Sequence, residues 1–195
     1  MTIEWSLVVF IFVIIMIFPL ILLFSLRQYR MIKQLMEQQA LKRRGTVAGS
    51  FLVPVLKLSY RSLPVVITSV PGSKYRQAKT EIGITLQKPT RANLTIVKES
   101  LATRLGTALG ATDVELGSEE FDREFVIKTQ DDVFAQSLVN FILQQKLLEM
   151  KQEKPKIILE GTRLSVQVPK LVKTEERYDR LFDLAFAFVD RLIDL

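Results

Sequence analysis

Thr46-Val-Ala-Gly-Ser-Phe-Leu-Val-Pro-Val-Leu-Lys-Leu-Ser-Tyr60, Arg61-Ser62 and Leu63-Pro-Val-Val-Ile-Thr-Ser-Val70 decide the fold class. The two long runs are rich in Val, Leu and Ile, residues that suit a pleated, half-buried surface, and two residues between them allow only a tight connection. Pro54 has no backbone N–H to donate, so the first run is expected to lie at a sheet edge or to be interrupted there. Pro71-Gly72-Ser73 marks a turn. In the next run, Tyr75–Leu86, Ile82, Ile84 and Leu86 alternate with Gly83 and Thr85, the period-two pattern of a strand with one buried face. Asn93–Val97 adds a short fourth run.

Downstream the period changes. Residues 98–110 place Leu101, Leu105 and Leu109 four apart, which predicts a short helix ending at Gly110. An acidic loop and a strand over Phe125–Lys128 follow. Thr129 with Asp132 three residues on reads as a capping box for a helix reaching about Met150, burying Phe134, Leu138, Phe141 and Ile142. Ile157–Glu160 and Arg163–Val168 flank Gly161-Thr162 as a hairpin. From Glu175 to the end, Tyr178, Leu181, Phe182, Ala185, Val189 and Leu192 fall at helical spacing with charges opposite, so this last helix is expected to pack on the sheet. Strands in hairpins with helices between the groups define an α+β fold: an antiparallel or mixed sheet covered by helices.

Upstream, Leu7 to Leu26 are twenty residues without a charge. At 1.5 Å rise per residue they reach about 30 Å, the thickness of a bilayer's hydrocarbon core. Trp5 and Tyr29 sit at the ends, where amphipathic rings favour the headgroups. Pro19 removes one backbone hydrogen bond, which membrane helices tolerate. A cleaved export signal would carry a basic start, a shorter apolar run and a small-x-small site. Phe24-Ser25-Leu26-Arg27 supplies none, so residues 1–26 are expected to form an uncleaved, single-pass transmembrane anchor. Arg27, Arg30, Lys33, Lys42, Arg43 and Arg44 follow it, and the positive-inside rule then puts the N-terminus outside and the C-terminal domain in the cytoplasm. Residues 27–44 read as a basic juxtamembrane helix, either a solvated stalk or a helix along anionic headgroups; Gly45 caps it. Residues 45–195 form the domain.

The net charge of +6 conceals a division. Arg27 to Arg104 hold 15 basic and 3 acidic residues, whereas Leu105 to Leu195 hold 12 basic and 17 acidic. A basic half beside the membrane suits anionic lipid headgroups, each nearby Lys or Arg contributing about 1 kcal/mol. It also suits an acidic surface on a membrane protein partner. Nucleic acid is not expected, because no recognition motif and no interleaved aromatic-basic patch occurs.

The chain contains no histidine and no cysteine. That removes the commonest general base near neutral pH, the thiol nucleophile and the usual zinc ligands. Gly106, Gly110 and Gly117 do not form a phosphate-binding loop. The one cluster to test for a cation is acidic: Asp113, Glu115, Glu119, Glu120 and Asp122, continued by Glu124, Asp131 and Asp132. Gly117 falls where a calcium loop needs an oxygen ligand, so loop solvation, capping and pairing with the basic half are expected instead. No catalytic residue, metal site or cofactor is therefore expected. The role expected is a membrane-tethered interaction domain, an accessory subunit of a membrane protein complex, with small-ligand or lipid binding at the membrane surface as the alternative and a metal-dependent enzyme behind it.

One pattern has a familiar form. Leu101 to Gly110, Asp113-Val114, Gly117-Ser-Glu-Glu-Phe-Asp-Arg-Glu-Phe-Val126 and Asp131-Asp132 resemble bacterial membrane-anchored proteins whose domain of unknown function carries a Gly-x-x-x-Phe-Asp-x-x-Phe-x-Val motif. Tyr60-Arg61-x-x-Pro64-Val65 resembles a hairpin there. The resemblance covers about residues 45–195 and implies a structural role: phenylalanines in the core, with Asp122 fixing a turn.

Overall fold

A computed structural model describes residues 5–50, 53–75, 77–99 and 112–195, and within the first helix only some side chains before Leu26. The elements are α1 (Trp5–Arg43), β1 (Thr46–Ser50), β2 (Val53–Tyr60), β3 (Leu63–Val70), β4 (Lys79–Thr85), β5 (Leu94–Lys98), β6 (Thr112–Val114), α2 (Glu119–Glu124), β7 (Phe125–Thr129), α3 (Asp132–Leu138), α4 (Phe141–Glu149), β8 (Lys156–Glu160), β9 (Arg163–Pro169) and α5 (Glu175–Ile193). The strands form one nine-stranded sheet in the order β1-β2-β3-β4-β9-β8-β5-β7-β6. Neighbouring strands are antiparallel. The α+β class holds, and the sheet is antiparallel rather than mixed.

The opening run Thr46–Tyr60 divides into two strands that pair with each other, Thr46 opposite Lys57 and Ser50 opposite Val53. β1 is thus the edge strand. Alternation along the next strands aims one set of side chains at the helices: Leu56 and Leu58, Val65 and Ile67, Ile82 and Ile84, Leu164 and Val166 are all buried. Helix α5 covers this face with Tyr178, Leu181, Phe182, Ala185, Phe188 and Val189, also buried. The opposite sheet face is polar. There Glu81 accepts hydrogen bonds from Lys79, Arg163 and Ser165 at 2.8–2.9 Å. Burial alone raises its carboxyl; the bonds from Lys79 and Ser165 and the charges of Lys79 and Arg163 outweigh that and hold it below the usual carboxylate range.

Several expectations are corrected. The helix expected from Thr129 to Met150 is two helices, because Val139 leaves helical geometry and Asn140 caps α4 through a bond from Leu143 N–H. The break rotates the face, so Phe141 and Ile142 are exposed while Leu143, Leu147 and Leu148 are buried. Asp131, not Thr129, caps α3 by accepting from Phe134 N–H at 2.9 Å. The acidic loop contains the one-turn helix α2 and the strand β6. The helix expected over 98–110 lies almost wholly outside the described residues.

The largest revision concerns residues 27–44. They are neither a stalk nor a free surface helix, but the C-terminal part of α1, which continues from Trp5 to Arg43. Ile32, Met36 and Ala40 are buried in the domain core, and this part of α1 packs along β1 and β2. The helix ends in a Schellman turn: Arg44 takes a positive φ of 54° and Gly45 N–H bonds back to Ala40 O at 2.8 Å. Gly45 is required there, because a Cβ would stand 2.8 Å from the Lys57 carbonyl oxygen. Further back the helix is different in character. Phe10, Phe12, Ile15, Met16, Phe18, Leu20 and Leu23 are exposed. Among the described residues no helix is long and apolar enough to cross a membrane. Some side chains of the Leu7–Leu26 run are outside the described set, so the expected anchor rests on the sequence.

Candidate functional site

Two ends of the sheet carry the features of interest. At one end, the β2–β3 turn, the Leu86–Asn93 connection, α3 and the end of α5 enclose an open cleft of about 850 Å³, within the range of small-molecule sites. Backbone bonds hold its walls: Leu86 N–H to Thr162 O at 2.7 Å and Thr90 N–H to Gly161 O at 2.9 Å tie the connection to the β8–β9 turn. Leu63, Leu86 and Phe134 supply apolar surface and Arg61, Lys88 and Arg91 supply cations, while Val133 and Ile193 are exposed at the rim.

Two of those cations are already anchored. Arg61 pairs with Asp190 at 2.6 Å and Arg91 with Asp131 at 2.8 Å. Asp190 also accepts from the Tyr60 hydroxyl at 2.9 Å, and the Tyr60 ring stacks on Phe186 with centroids 3.9 Å apart. Burial and the Asp190 carboxylate together push the Tyr60 hydroxyl above its ordinary value. Lys88 has no ion pair among the described residues and is exposed. The cleft is thus an apolar surface with two carboxylate-paired arginines and the exposed Lys88 at its edge. Spacing alone carried no signal for it, because its walls come from four separated segments.

The basic residues singled out in the sequence divide into two groups. Arg27 and Arg30 project to solvent and Lys33 pairs with Glu37 at 3.7 Å. Lys42 instead bonds Asp179 at 2.6 Å and Glu175 at 3.4 Å. Arg43 is partly buried, bonded to Asp179 at 2.6 Å and to Gln39, with its guanidinium 4.1 Å from the centre of the Phe182 ring. Burial raises the Asp179 carboxyl, but hydrogen bonds from Lys42 and Arg43 overcome this and hold it below the usual range. Lys42 and Arg43 therefore latch α1 to the start of α5, and Arg44 occupies the turn.

The acidic residues are dispersed rather than gathered. Glu119 pairs with Arg123 and Glu120 with Lys151. Asp122 accepts from Leu116 N–H at 3.0 Å, closing the turn before α2. Glu124 pairs with Lys98 at 3.1 Å and Glu115 is exposed. Asp113 lies opposite Lys128 in the β6–β7 ladder, its side chain outside the described set. Among the described residues no three acidic side chains are placed to share a metal ion.

The fold is similar to that of a solved structure, the mycobacterial trehalose monomycolate transport factor A, TtfA. The likeness has a TM-score of 0.59 at 14% identity and covers 84% of this chain and 93% of that one. No protein-family model matches the chain, and no curated protein matches it. The similarity is one of fold.

Proposed function

We propose that the chain is a single-pass, membrane-tethered interaction domain, an accessory subunit of a membrane protein complex, with the domain on the cytoplasmic side. The observation that carries this reading is the unbroken passage of α1 from exposed apolar residues, among them Phe10, Ile15, Phe18 and Leu23, to the buried Ile32, Met36 and Ala40. Large apolar side chains left in water are costly at about 25 cal/mol per Å², and a bilayer removes that cost. A tether that is also a core helix holds the domain at a set height and orientation, as an accessory subunit requires. Arg27 and Arg30 at the end of the uncharged run support the cytoplasmic placement. The same pattern accords with the resemblance to bacterial membrane-anchored proteins.

Lipid binding is the second reading. It is favoured by the cleft, whose apolar surface and exposed Lys88 suit an anionic amphiphile, and it is compatible with a fold like that of a mycobacterial transport factor. We favour a non-enzymatic role in both readings.

Purification of the full chain from membranes in mild detergent tests the first reading. The expected result is stoichiometric co-purification of a membrane protein, weakened when Val133→Asp and Ile193→Asp place charges on the rim of the cleft. Recovery of the chain alone with a co-purifying lipid favours the second reading, and recovery from the soluble fraction contradicts both.

A further inference from the structure

We infer that the sheet end opposite the cleft is a docking surface for an anionic phospholipid bilayer, formed by Lys74, Tyr75, Lys170 and Lys173; the inference rests on the membrane tether proposed above. The chain topology brings these residues together. Val70 pairs with Lys79, and Lys79 with Pro169, so the 71–78 and 170–174 connections leave the sheet at the same end. They are joined there by Lys170 N–H to Ala78 O at 2.7 Å and by Val172 N–H to Thr80 Oγ1 at 3.0 Å.

Helix α1 arrives from this end. Gly45 stands beside Lys57, and β1 then runs back to Ser50 opposite Val53, so the Schellman turn reverses the chain. Helical side chains lean towards their helix N-terminus, and Lys42 and Arg43 both lean towards Glu175 and Asp179 in the first turns of α5. Four strand residues at about 3.4 Å place the end of the sheet about 14 Å back along α1, near Leu35 at 1.5 Å per residue. Arg27 lies about 12 Å further out by the same rise. Lys74, Tyr75, Lys170 and Lys173 lie on the connections that leave the sheet at this end.

Their chemistry suits headgroups. Tyr75 is 90% exposed, with Lys74 Nζ 5.7 Å from the centre of its ring, and an aromatic ring with a polar tip favours the interface. Lys74, Lys170 and Lys173 are exposed and have no ion pair among the described residues. The acids nearest in the chain are engaged: Glu81 with Lys79, Glu175 with Lys42 and Glu176 with Arg180. Glu119, Glu120 and Glu124 belong to the same end, but beside β7, three strands beyond β9. At about 4.8 Å per strand that is about 14 Å away, beyond a Debye length of about 8 Å.

The chain has no cysteine, so single cysteines can carry a fluorophore. Tyr75→Cys and, at the opposite end, Gln87→Cys are labelled in the full chain and reconstituted into phosphatidylcholine vesicles with or without phosphatidylglycerol, both carrying a headgroup quencher. Flotation of the chain with the vesicles is read first. The expected result is flotation, with quenching at position 75 several-fold above that at position 87 in the anionic vesicles. Phosphatidylcholine alone, high salt, or Lys74→Glu with Lys173→Glu lowers this contact by about tenfold. The salt and lipid comparisons need no variant. A chain that fails to float contradicts the tether and with it this surface. A chain that floats with equal quenching at 75 and 87, or with contact insensitive to lipid charge, overturns the docking surface and leaves the tether standing.

Discussion

Met36→Asp is expected to lower the unfolding free energy of the full chain in detergent by about 3–5 kcal/mol, or to prevent folding. Met36 is fully buried between α1 and the sheet. Removing it costs the 2–5 kcal/mol range of a large-to-small core change, and the new carboxylate enters an apolar site without a partner. A juxtamembrane stalk would tolerate this substitution within about 0.5 kcal/mol, as surface positions do. Gln38→Asp, exposed on the same helix, is the matched control. Chemical denaturation of both variants followed by far-UV circular dichroism separates the two pictures. Loss of stability confined to Met36→Asp places the helix in the core; equal melting of both contradicts it.

Phe121→Ala is expected to cost about 3–5 kcal/mol. The Phe121 side chain is fully buried and stacks on Phe125 with centroids 5.2 Å apart, although it belongs to the six-residue helix α2 on an acidic surface. A helix this short has little stability of its own, so the two rings pin it to β7. Asp122→Asn retains an oxygen acceptor for Leu116 N–H and is expected to melt close to the parent, whereas Asp122→Ala leaves that donor without its partner. Thermal melts of the three variants give this order if the motif is structural. A severe loss at Asp122→Asn with little at Phe121→Ala would instead assign the acid another role.

The sheet was legible where side chains alternate over a one-sided core, as in Ile82, Ile84 and Leu86, and where turn residues bracket short runs, as at Gly161-Thr162. Final helix α5 was legible because its apolar stripe and its charges occupy opposite sides for its whole length. Boundaries failed where a local hydrogen bond decides them. Asn140 capping α4 and Asp131 capping α3 break an apolar pattern that otherwise reads as a single helix. The 27–44 stretch was misread for another reason. Ile32, Met36 and Ala40 give the same amphipathic pattern whether they face headgroups or a sheet, and only the tertiary partner distinguishes the two. Of the candidate site residues, Lys42 and Arg43 turned out to be latched to Asp179, a carboxylate more than 130 positions away. Lys74, Lys170 and Lys173 had no shared signal, because adjacent loops at one sheet end are related by strand order rather than by spacing.

The central claim is that one helix serves both the bilayer and the domain core. Labelling by a membrane-impermeant maleimide tests it most directly, with single cysteines at Phe10, Ile15, Phe18, Leu23, Lys33 and Met36 in vesicles that carry the domain outward. The account predicts that Lys33→Cys is labelled throughout, that Met36→Cys is labelled only after urea unfolds the domain, and that positions 10 to 23 stay unlabelled before and after urea. Labelling of positions 10 to 23 at the rate of position 33, or of position 36 in the folded protein, would contradict it.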